Sequence, residues 1–77
     1  MKNYVKFITT KDGEIFFGTP QDELHSDVAR RHNIPYEKIA GGGRADLEGK
    51  KIYGTSTTFG SYDRDLVKQK LPDWNVE

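Results

Sequence analysis

The chain has 77 residues, 34% hydrophobic and 31% charged, and twelve Lys and Arg offset twelve Asp and Glu to a formal net charge of zero. Such a length suits one domain with a thin core, and the balanced charge argues against a general nucleic-acid or membrane-surface binder, which would carry a basic excess. No cysteine is present, so disulfides, thiolate nucleophiles and zinc-finger frameworks are excluded; no apolar run approaches the roughly 20 residues of a membrane helix and Lys6 interrupts the only apolar stretch near the N-terminus, so a cytoplasmic monomer is expected.

Asn3 to Thr10 alternate with β-branched and aromatic residues and read as a strand. Lys11-Asp12-Gly13 is a hairpin turn, and Glu14-Ile15-Phe16-Phe17 is the returning strand, ended by Gly18. Thr19-Pro20 reads as an N-cap with proline at the first helical position, and Asp22 and Glu23 favour the positive helix end. Leu24, Val28 and Ala29 then form one apolar face of a helix running to about Arg31 or His32, and Asn33-Ile34-Pro35 stops it. Ile39 to Leu47 and Lys50 to Thr55 read as two strands joined by Asp46-Leu47-Glu48-Gly49. Asp63 to Leu71 is a second helix with Leu66, Val67 and Leu71 inward, and Trp74-Asn75-Val76 a short final strand. The order β-β-α-β-β-α-β over residues 1–77 predicts a single α/β domain, a mixed sheet packed by two helices.

Two glycine-framed loops carry the candidate chemistry. Gly41-Gly42-Gly43 runs into Arg44, and Tyr53-Gly54-Thr55-Ser56-Thr57-Thr58-Phe59-Gly60 follows closely. Glycine admits close backbone approach, and successive N–H groups in a turn can form a nest for phosphate or sulfate; the plainer reading is a set of turns and bulges around a hairpin. His25, near the start of the first helix, is placed where positive helix charge favours the neutral, proton-accepting imidazole, against the reading of a solvated surface histidine. His32, at the helix end beside Arg31, reads as a cap. Arg44 offers a planar fork for a phosphate or carboxylate, or a cross-strand partner for Glu14 or Glu48. The GxxxxGK[ST] phosphate loop is absent, a strand follows the glycine run in place of a helix, and two histidines seven apart give little support to a metal site.

The order of these motifs resembles the janus / phosphohistidine phosphatase family, as a short member of microbial or phage type. Glu23-Leu24-His25-Ser26-Asp27, Gly41-Gly42-Gly43-Arg44, Lys50-Lys51-Ile52-Tyr53-Gly54-Thr55-Ser56, Phe59-Gly60 and Leu71-Pro72-Asp73-Trp74-Asn75-Val76 stand in the order of that family's E-Y-H-A-D, G-G-G-R-I, K-K-I-x-V-Y-G-Y-S, aromatic-Gly and Y-P-D-Y-x-V segments. The resemblance implies the family's fold and a metal-independent, cofactor-free phosphatase acting on a phosphorylated protein or a small phosphoramidate, with His25 as general base or nucleophile. It implies phosphate held by N–H groups near Ser26 and in Thr55-Ser56-Thr57, with the Ser56 hydroxyl adding a donor and Arg44 orienting the anion. Gly41, Gly42 and Gly43 would give room beneath the site, supported by Tyr53 and Gly54. At the position of the family's first-strand lysine this chain carries Asn3, with Lys2 and Lys6 on the opposite strand face. The alternatives are a phosphate- or phosphoprotein-binding module without turnover and a small interaction protein.

Overall fold

The computed structural model describes residues 4–77. Five strands, β1 (Val5–Thr10), β2 (Ile15–Phe17), β3 (Ile39–Asp46), β4 (Lys51–Tyr53) and β5 (Asn75–Val76), form one sheet in the order β2-β1-β3-β4-β5. Neighbours are antiparallel except β4 and β5, which run parallel. Two helices, α1 (His25–Arg31) and α2 (Arg64–Lys70), complete the expected α/β architecture with its mixed sheet, and a 3-10 turn covers Tyr36–Lys38. Asn3, where the family lysine would stand, lies outside the described residues.

Strand alternation divides the apolar residues between two faces. Val5 and Phe7 of β1 point with Ala45 and Ile52 to one side, where Tyr62, Val67 of α2 and Val76 bury them. Ile8 points to the other side and packs with Val28 and Ala29 of α1 and with Ile39. Lys6, Gly42 and Arg44 therefore share the α1 face, because β1 and β3 pair Lys6 with Arg44 and Ile8 with Gly42. The helices thus cover opposite faces, each supplying few buried side chains, as the low apolar content requires.

Helix α1 starts later than Thr19-Pro20 predicts. Thr19 and Pro20 lie in a turn whose centre is Asp22, a buried carboxylate that accepts the Thr19 N–H at 2.7 Å and is held by the Arg31 guanidinium at 2.9 Å. Leu24 is the residue before the helix, and the Asp27 carboxylate turns back to accept its N–H at 3.1 Å. The far end is closed by Asn33 in the left-handed region at φ 57°, with Ile34 N–H bonding back to the Ala29 carbonyl at 2.9 Å; the helix has ended before Pro35 acts. Asp63 caps α2 as a true N-cap, accepting the N–H groups of Asp65 and Leu66.

Candidate functional site

His25 is the first residue of α1 and is buried, with 7% of its surface exposed. Its position follows from the loop before it: the Asp22–Arg31 clamp and the Asp27–Leu24 bond fix where the helix begins, and Val28 and Ala29 seat that helix on Ile8. The imidazole Nε2 lies 2.9 Å from the Gly43 carbonyl oxygen. A carbonyl only accepts, so Nε2 carries the hydrogen and donates it, which leaves Nδ1 of the neutral ring with the lone pair. Burial disfavours the imidazolium and holds the His25 pKa below its ordinary value; the Gly43 carbonyl works the other way, and the positive charges of Lys6 and Arg44 lower it further. The site therefore contains a neutral base of fixed tautomer beside two cations.

The glycine run serves this arrangement unequally. Gly42 faces α1: a Cβ there would stand 3.1 Å from His25 Cδ2 and 2.5 Å from the Phe7 carbonyl oxygen. Gly41 and Gly43 face the opposite side, where added methyls would meet the Ser61 main chain and the Phe7 and Tyr62 rings, respectively. Only Gly42 gives room to the histidine directly, and Gly43 contributes its carbonyl. Gly54 adopts φ 75° with the Arg44 side-chain stem lying against it, a conformation costly for any other residue. Tyr53 is paired opposite Arg44 on β4.

The loop after β4 is tied to the same strand. Gly42 N–H donates to the Gly60 carbonyl at 3.1 Å, and Ser56 N–H donates to the Gly42 carbonyl at 3.1 Å. Ser56 is buried and its Oγ accepts the Phe59 N–H at 3.0 Å, so this residue, expected to offer both amide and hydroxyl to an anion, spends its amide and an acceptor position on closing the loop. The Thr55 hydroxyl, likewise, is paired with Ser61 Oγ at 3.0 Å. Thr57 is exposed, and Ser26, second in α1, is half-buried; neither N–H has an internal partner among the described residues. Arg44 is exposed and makes no ion pair with Glu14 or Glu48; its guanidinium lies 5.1 Å over the Tyr4 ring.

His32 stands at the C-cap of α1, as its place at the helix end predicts, with its main-chain N–H on the Val28 carbonyl at 3.2 Å; its Nε2 donates to the Phe17 carbonyl at 3.0 Å and the ring packs on Phe16. Lys6, on the strand face opposite to that of Asn3 in the alternation, lies on the face of His25 and Arg44, where the cross-strand register places it. Among the described residues, no three His, Asp or Glu side chains converge as metal ligands would, and no helix is long and apolar enough to cross a membrane.

Comparison with known proteins yields a partial likeness. The chain is 49% identical over 43 residues to the sex-regulated protein janus-B of Drosophila orena, and equally so to that of Drosophila yakuba; each match covers 51% of this chain and 31% of the relative. No family model matches, and no solved structure matches. These findings overturn the assignment to the janus / phosphohistidine phosphatase family: the matched proteins are janus-B and not phosphohistidine phosphatases, and the likeness stops at half of the chain. The physical reason is in the motifs themselves. Short blocks of glycine, proline and turn residues are required here by backbone crowding at Gly41, Gly42 and Gly43 and by the loop closure at Ser56, needs that any tightly packed small sheet can share.

Proposed function

We propose that the protein hydrolyses phosphohistidine or a related phosphoramidate, with His25 as the reacting group. The observation that carries this reading is the Nε2–H bond from His25 to the Gly43 carbonyl in a ring kept neutral by burial, because it leaves Nδ1 as a fixed lone pair. As a nucleophile, Nδ1 forms a bond to phosphorus while the P–N bond of the substrate breaks and the departing nitrogen takes a proton from water; a second water then releases phosphate from His25. As a general base, Nδ1 takes the proton of the water whose oxygen attacks phosphorus, while the P–N bond breaks and the departing nitrogen takes up a proton, which returns the imidazole to its neutral form when His25 supplies it. In either course Lys6 and Arg44 offset the charge on the phosphoryl oxygens, and the N–H groups of Ser26, Thr55 and Thr57, which have no internal partner among the described residues, are donors for them. The substrate class is a phosphorylated protein side chain or a small phosphoramidate.

The test is release of phosphate from a phosphohistidine peptide and from phosphoramidate by the wild type and by His25→Ala. Loss of about 100-fold or more, the usual scale for removing an acid–base group, is expected. Equal rates would refute the reading. Trapping of an acid-labile phosphoprotein during turnover separates nucleophile from base. A second reading, phosphate binding without turnover, draws on the engagement of the Ser56 amide and the Thr55 hydroxyl in internal bonds, which reduces the donors for a developing charge. Phosphate-induced amide shifts at Ser26 and Thr57 without hydrolysis would favour it.

A further inference from the structure

We infer that the part of the α1 face of the sheet beyond His25 is a docking strip for an acidic peptide segment, which shares Lys6 and Arg44 with the proposed phosphoryl site but does not need His25. Helix α1 seats on Ile8 and, through His25, on Gly42; on the next rungs, among the described residues, Arg44 and Lys51 are exposed and Tyr4, Lys6 and Tyr53 half-buried. There Lys6 of β1 stands beside Arg44 of β3, and Arg44 beside Tyr53 of β4. Tyr4 and Lys51, two residues along their chains from Lys6 and Tyr53, extend the same face.

The cations of this strip are held by rings. Lys6 Nζ lies 5.6 Å and the Arg44 guanidinium 5.1 Å from the Tyr4 ring, Lys51 Nζ lies 5.8 Å from the Tyr53 ring, and the two tyrosines meet edge to face at 6.4 Å. A ring orients a cation without neutralising it, so the donors remain available to an anion. Among the described residues neither Lys6 nor Arg44 makes an ion pair, although the chain has as many acids as bases. The nearest acid in register, Asp46 opposite Lys51, has its carboxylate turned into the β3–β4 turn, where it accepts the Glu48 and Gly49 N–H groups. Lys51 has Glu77 at 3.0 Å, an exposed pair that a ligand carboxylate can exchange at little cost.

Carboxylates suit this surface better than a nucleic acid does. Base stacking needs bare ring faces, and here cations already lie over both tyrosines. A net charge of zero also gives no long-range attraction for a polyanion, whereas a few carboxylates on an extended peptide match three cations spread across adjacent strands.

The test is an NMR titration of the full chain with a short unphosphorylated Glu/Thr peptide, with a Lys/Thr peptide and oligo-dT as comparisons. Expected are amide shifts concentrated at Tyr4, Lys6, Arg44, Lys51 and Tyr53, weakened by salt, and an affinity reduced about tenfold or more in the Lys6→Glu/Arg44→Glu double variant. Lys51→Glu, which leaves Lys6 and Arg44 intact, lowers affinity by a smaller factor and serves if the double variant does not fold. His25→Ala binds the peptide as the wild type does, so failure of the hydrolase reading and failure of the strip are told apart. No shifts at the strip, equal binding of the Lys/Thr peptide, tighter binding of oligo-dT, or undiminished binding by Lys51→Glu would overturn it.

Discussion

Gly41→Ala tests the reasoning about the glycine run most sharply. A Cβ at Gly41 would lie 2.7 Å from the Ser61 carbonyl carbon and 3.1 Å from the Tyr62 nitrogen, with the Ser61 oxygen nearer still, whereas ordinary contact starts at 3.4 Å. All three atoms are main chain, so no side-chain rotation relieves the clash and the segment through Ser61 has to move off β3. Overpacking of this kind costs typically 1–3 kcal/mol and more when backbone must shift; we expect about 3 kcal/mol. A domain of this length holds roughly 4–12 kcal/mol in all, and each kcal/mol corresponds to about 4–8 °C in Tm, so the variant should melt more than about 12 °C below the wild type. Gly60→Ala is the control, because Gly60 has φ 86° with nothing within 4 Å of the added methyl. That variant carries only the left-handed backbone penalty, about 1–2 kcal/mol. Urea unfolding followed by circular dichroism measures both. A Gly41→Ala loss no larger than that of Gly60→Ala would refute the claim that crowding, and not backbone conformation, demands the first glycine.

Three further outcomes follow from the described contacts. Because burial lowers the His25 pKa below its ordinary 6.5, the unfolded chain binds a proton first as pH falls past that value; stability should then decline on acidification by at most about 1.4 kcal/mol per pH unit from this group, and His25→Gln should flatten that part of the urea-midpoint profile. Asp22→Asn removes the charge that faces Arg31 and should cost about 2 kcal/mol in urea unfolding, less than a fully buried pair because Arg31 is partly exposed. Since Arg31 and the Thr19 N–H hold the Asp22 pKa below its ordinary 3.8, the wild type keeps this contribution above that pH and loses it as pH falls through the lowered value, a loss the Asn variant should not show. Asp63→Ala removes the cap of α2 and should cost about 1 kcal/mol, measured in the same way.

Much of the fold was readable because local signals agreed. Val5 to Thr10 alternate, Asp12-Gly13 turns the chain, and Asp63 precedes an apolar periodic segment as an N-cap should. The start of α1 is misplaced by the local signal alone. Thr19-Pro20 has the local form of a helix start, but Asp22 finds a stronger partner nine residues away in Arg31, and that tertiary pair holds the segment in a turn. At the candidate site, the proximity of His25 to Gly43 depends on α1 folding back over β3, a long-range contact no spacing encodes. Ser56 looked like an anion donor because the sequence shows a hydroxyl and not the Phe59 amide that it accepts. Strand parity gives the face of Lys6 but not its neighbours; the register that sets it opposite Arg44 is a long-range pairing.

The two peptide units at Gly42 and Gly43 hold three attachments: the Gly60 carbonyl and the Ser56 amide on Gly42, and the His25 ring on the Gly43 carbonyl. The helix start and the loop after β4 are thus both referenced to one short piece of the central strand, although many residues separate them along the chain. Positional errors arising in either connecting segment stop at that strand and do not accumulate between the imidazole and the loop. A sideways shift of β3 would carry both together, so their mutual spacing is set by hydrogen-bond length and not by the compliance of the chain that links them.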